Sequence, residues 1–116
     1  VGGKRYAVYV GRRVSLAHQA QIHGPAHVDD DTFVGMKVLV FKARVGKNCV
    51  IEPGAMVVGV TIGDGRYVSA GMILKDQKDA DTLPLITDDY PFKDLNKDVV
   101  EVNVNLAAGY NALKPG

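Results

Sequence analysis

Two histidines, His18 and His23, stand five residues apart in the stretch VSLAHQAQIHG. Imidazole is a preferred ligand for zinc and its first-row neighbours, so the pair is a candidate metal site. By itself the pair is too small. A catalytic zinc takes three protein ligands and keeps a fourth position for water, which it activates as a nucleophile. His27 is the last histidine in the chain, and it falls at a bend just before Val28. Its spacing makes it a poor third ligand. Next to it, Asp29-Asp30-Asp31 reads as a solvated turn before it reads as a cation site. Cys49, the single cysteine, adjoins Val50 and Ile51 and reads as a structural thiol rather than a nucleophile. Glu52, before Pro53, reads as a corner residue that would support metal ligands only if it lay beside the histidines. There is no phosphate-binding glycine loop and no CxxC pair.

The segment that carries the histidines repeats with period six. Val10, Leu16, Ile22, Val28, Val34 and Val40 form one column, and Val8, Val14, Ala20, Ala26, Thr32 and Val38 a second. A helix would repeat at 3.6 and an ordinary strand at 2.0. After Val40 the first column slips by one residue to Val45, continues through Ile51 and Val57, slips again to Ile62 and Val68, and ends near Ile73. Turn-forming residues fall between, such as Gly24-Pro25 and Gly63-Asp64-Gly65. One hexad makes a short strand and a bend, and three hexads close a triangular coil. Residues 18 apart then stack, each coil covering the apolar surface of the next.

The expected fold is an all-β parallel β-helix of hexapeptide repeats with a C-terminal α-helix. The β-helix is expected over 1–77 in about four coils, a connector over 78–90 with one helical turn, and the helix over 91–113. Val99, Val102, Leu106, Tyr110 and Leu113 lie on one face of that helix, which Asp89 or Asp94 would cap and which would pack along the β-helix. Period alone does not set the hand. Right-handed crossovers are the default, and left-handedness enters here only by analogy with hexapeptide-repeat proteins.

His18 and His23 follow the core positions Leu16 and Ile22, so both should point outward. Outward side chains on a convex coil hardly converge to the ~2.0–2.1 Å that one zinc requires. A shared metal then calls for a second chain, and a three-fold trimer would create identical sites between subunits.

Composition narrows the partners. A formal charge of +1 gives no electrostatic argument for nucleic acid or an anionic membrane surface. No apolar run approaches the ~18 residues of a membrane span. No signal peptide is visible in the sequence, which leaves the compartment open, with the cytoplasm as the first guess. One cysteine excludes an internal disulfide.

A longer pattern adds to these readings. SLAHQAQIHGPAHV, TFVGMKVLVFKARVGKNCVIEP, GVTIGDGRYVSAGMIL, the TDDY segment and VNVNLAAGY together resemble, in the same order, the γ-class carbonic anhydrases. That group includes an archaeal enzyme and the related N-terminal domain of the carboxysome protein CcmM. The resemblance runs from about Lys4 to Tyr110. It implies a left-handed β-helix, a homotrimer and interfacial metal sites holding zinc, or alternatively iron or cobalt. His18 and His23 match two of the family's ligands, and Asn103 matches an asparagine near its reaction centre. The implied activity is reversible hydration of CO2 to bicarbonate. The family's third histidine and its proton-handling residues lie upstream of the point matched by Val1, and Glu101 stands where close members carry an aromatic residue. A companion N-terminal segment or chain is therefore expected. A catalytically incomplete scaffold of the CcmM type and a hexapeptide acyltransferase are the alternatives.

Overall fold

The computed structural model describes residues 7–100. Twelve strands of two or three residues wind into a parallel β-helix. Three sheets form its faces, each hydrogen-bonding strands from successive coils. Sheet A is β1(Val8–Val10), β4(Ala26–Val28), β7(Arg44–Val45) and β10(Thr61–Ile62). Sheet B is β2(Ser15–Leu16), β5(Phe33–Val34), β8(Val50–Ile51) and β11(Tyr67–Val68). Sheet C is β3(Gln21–His23), β6(Leu39–Phe41), β9(Met56–Val58) and β12(Ile73–Leu74). All ladder pairs are parallel, and the first coil stacks on the second with the 18-residue register: Val10 on Val28, Leu16 on Val34, Ile22 on Val40. Each later coil is one residue shorter, since Val28 pairs with Val45 and Ile51 with Val68. The two slips in the sequence are those shortened coils.

Both columns turn inward through the middle of the stack. Val28, Val34, Val40, Val45, Ile51 and Val57 are fully buried, and Thr32, Val38, Cys49 and Ala55 line the core beside them. Two positions depart from expectation. The column ends at Leu74, which is fully buried, and not at Ile73, which is 62% exposed. Strand alternation explains it: Leu74 pairs with inward Val57 and Ile73 with outward Met56. In the first coil, Val10 and Leu16 are 38% and 48% exposed despite their inward register. Each has a stacking partner on one side only among the described strands.

The corners between strands need a left-handed residue. Arg13, Asp31, Asn48 and Gly65 have φ of 53, 62, 56 and 70° and recur once per coil at the corner between sheets A and B. Gln19, Lys37, Gly54 and Gly71 do the same between sheets B and C. The far end of the stack is closed by chain that leaves it. Helix α1(Gln77–Asp81) brings Gln77 to β10, where its side-chain amide accepts from the Thr61 N–H and donates to the Thr61 carbonyl at 2.8 and 2.9 Å. That imitates one more strand at an open edge. Residues 84–86 pair with β11: Tyr67 N–H donates to the Pro84 carbonyl and Ile86 N–H to the Gly65 carbonyl. Residues 91–94 form turns and residues 95–100 are helical. The remainder of the expected C-terminal helix lies outside the described residues.

Candidate metal centre

His18 sits in the turn that joins β2 to β3, and His23 is the last residue of β3. Both are exposed. They therefore stand at the two ends of β3, both on the first coil of sheet C. His18 offers its ring to solvent, while its carbonyl accepts from Lys37 N–H in the next coil. The His23 ring lies edge-on to Phe41 with 6.5 Å between centroids, and its Nε2 is 3.4 Å from Gln21 Oε1. Two accessible imidazoles have the right chemistry for zinc. Among the described residues, however, no group of three or more His, Cys, Asp or Glu side chains could hold a metal ion. Within one chain, the two imidazoles alone do not make a complete metal site.

The other candidate residues are occupied elsewhere. His27 Nε2 is 2.5 Å from Asp29 Oδ1, and its ring stacks under Tyr9 at 4.4 Å. The three aspartates do not form a cation cup, because each is engaged within the fold. Asp29 holds His27, Asp30 accepts from Arg12 N–H at 2.8 Å, and Asp31 pairs with the Arg13 guanidinium at 2.6 Å. That last pair holds the Asp31 carboxyl below its usual range and raises Arg13. Cys49 is fully buried, its thiol donates to the Gly63 carbonyl at 3.2 Å, and burial pushes its pKa up. A buried thiol held in its neutral form is a structural group. Glu52 accepts from the Tyr90 hydroxyl at 2.6 Å and from Ala70 N–H at 3.2 Å. The bond from Tyr90 was not foreseeable from local spacing, since the partners lie 38 residues apart. Glu101 and Asn103 lie outside the described residues.

The three outer faces differ in character. Sheet A presents Tyr9, His27, Arg44 and Thr61. Sheet B presents Phe33, Val50 and Tyr67, and the segment 84–96 covers it. Tyr90 stacks on Tyr67 at 4.1 Å, and Asn96 Nδ2 donates to the Arg13 carbonyl at 2.7 Å. Sheet C presents Leu39, Met56 and Ile73 in one outward row and His23, Phe41 and Val58 in the other. Met56 and Ile73 are exposed there. The candidate ligands thus flank the one strongly apolar face that no described segment of this chain covers.

No family model matches the chain. Individual relatives do. The chain is 60% identical over 110 residues to the carbonic anhydrase of Methanosarcina thermophila, a match spanning 95% of this chain and 44% of that protein. It is 41% identical over 107 residues to the carboxysome assembly protein CcmM of Nostoc sp., covering 92% of this chain and 19% of that one. CcmM of Synechococcus elongatus is 51% identical over 79 residues, 68% of this chain and 15% of that protein. The chain spans less than half the length of each of these relatives.

Proposed function

This chain belongs to the γ-class carbonic anhydrase family, and on that premise we propose that it supplies His18 and His23 to metal sites between subunits of a homotrimer that reversibly hydrates CO2. The observation that carries this reading is the outer face of sheet C, apolar in Leu39, Phe41, Met56 and Ile73, with His18 and His23 at the two corners of its first coil. If that face meets other copies across a three-fold axis, His18 of one subunit approaches His23 of the next. Apolar burial, at about 25 cal/mol per Å², supplies the association energy. Zinc suits the imidazole donors, with iron or cobalt as alternatives. When bound, such a metal lowers the pKa of coordinated water toward ~7 and so provides hydroxide at neutral pH. His18 and His23 hold and orient it. Asn103 is proposed beside the reacting atoms. With no third donor near the pair among the described residues, the third ligand and the proton-handling groups are assigned to a companion segment or chain. The left-handed sense of the coil is taken from the family.

The test is metal analysis and stopped-flow CO2 hydration on the assembled protein. About one zinc, iron or cobalt per chain is expected. His18→Ala and His23→Ala should each abolish both metal and hydration. Retention of metal in both variants refutes the ligand assignment.

A second reading is favoured by the incomplete donor set and by two relatives named as carboxysome assembly proteins. Under it the domain is a scaffold. A native protein without metal or hydratase activity that binds an assembly component would select it.

A further inference from the structure

His23 is the last residue of β3 and is exposed at a convex corner. An unsupported imidazole in such a place samples several rotamers. Binding a metal then freezes one of them, and the lost freedom weakens affinity. The fold supplies a support. Phe41 pairs with His23 in the parallel ladder between β3 and β6, so both side chains leave sheet C on the same side, one coil apart. The two rings meet edge to face, with 6.5 Å between centroids and 84° between planes. That is the geometry of a favourable aromatic pair.

Phe41 is itself held. It is half-buried, and Val58 follows it in the same outward row. The Lys42 ammonium lies over its ring, 5.3 Å from the centroid, which is a cation–π contact. On the strand that carries His23, Gln21 points to the same side and brings Oε1 to 3.4 Å from the His23 Nε2. The His18 ring, by contrast, has no aromatic partner among the described residues. One candidate ligand is set in place by its neighbours and the other is free to swing. We propose that Phe41 is a positioning residue of the metal centre, acting through His23. It holds that ring in one orientation before the metal arrives, and His18 of the neighbouring subunit closes on a donor already in place. This rests on the proposed function and deepens it. Preorganisation of this kind raises affinity without adding a ligand.

Two variants of the assembled protein test this. Phe41→Leu keeps an apolar side chain on sheet C and removes the ring, whereas Phe41→Tyr keeps the ring. Zinc affinity is read by competition with a chelator, assembly by sedimentation, and the His23 rotamer by side-chain NMR couplings after the metal is stripped. In the wild type the metal-free His23 ring should occupy one rotamer. Phe41→Leu should average it over several and weaken zinc binding about tenfold, the low end for residues that orient a metal ligand. Its sedimentation should match the wild type, and Phe41→Tyr should restore both rotamer and affinity. Unchanged affinity in Phe41→Leu overturns the proposal, as does a His23 ring that stays ordered without Phe41. So does a loss of metal that only follows separation of the subunits, or one that Phe41→Tyr fails to restore. Metal retained by His23→Ala refutes the proposed ligand set, and the positioning role with it. Metal lost in His23→Ala but bound with wild-type affinity in Phe41→Leu refutes the positioning role alone.

Discussion

Single side chains fasten this fold at places where hydrogen-bond stakes are high. Thr32 is fully buried; its hydroxyl donates to the Gly46 carbonyl at 2.7 Å and accepts from Cys49 N–H at 3.2 Å. Thr32→Val keeps the shape and removes both bonds. It should cost about 1–3 kcal/mol, because two buried backbone groups lose a partner, and urea denaturation would measure it. Tyr90 has a different signature. Burial, then its hydrogen bond to the Glu52 carboxylate, raises its pKa above the ordinary value. The unfolded chain releases the tyrosine proton near pH ~10, while the folded chain retains it. Above that pH the unfolded state binds fewer protons, so stability falls as pH rises. The wild-type urea midpoint should drop between pH 8 and pH 10.5, and Tyr90→Phe should flatten that decline. An equal decline in the variant would assign the effect to another group.

The strands and corners show what a period can and cannot reveal. Column positions such as Val28, Val34 and Val45 were legible because an inward residue must be apolar in every coil. The slips were legible too, as coils shortened by one residue. The column ends one residue beyond the expected neighbourhood of Ile73, at Leu74, because the six-residue step from Val68 holds and strand alternation turns Ile73 outward. Left-handed corners at Arg13, Gln19, Lys37 and Asn48 were invisible, since none is the glycine that usually marks such a conformation. The side-chain strand made by Gln77 has no sequence period at all. At the site, the outward direction of His18 and His23 followed from register, but the apolar face between them required knowing which strands share a sheet. Two glycines separate backbone strain from crowding. Gly71 has φ +72° with open space around an added Cβ, whereas a Cβ on Gly35 would stand 2.8 Å from the Ile51 carbonyl oxygen and the Pro53 nitrogen. Gly71→Ala should cost about 1 kcal/mol through conformation alone. Gly35→Ala should cost about 2–3 kcal/mol, because two coils must part. Thermal melts in parallel would establish the order, and a reversed order would contradict the stacking described.

Among the described residues, the prism has one face covered by its own chain, one lined largely by polar and aromatic side chains, and one apolar face that no described segment covers. That distribution makes a prediction about the proposed metal site that leaves His18 and His23 in place. Met56 and Ile73 stack in the same outward row of sheet C, below Gln21 and Leu39, and neither belongs to the core. Met56→Glu combined with Ile73→Glu leaves the interior columns intact, so each chain should still fold and keep its β-sheet circular dichroism. The same pair of charges would be forced out of water wherever sheet C meets another copy, and burying unpaired carboxylates costs several kcal/mol. If the proposed trimer forms through sheet C, sedimentation velocity should show it replaced by monomer. If each metal is bridged between subunits, metal content must fall with it, although His18 and His23 remain in every chain. A folded monomer that still binds metal would place the whole site within one chain and remove the interfacial reading. A trimer that survives both charges would move the interface to another face.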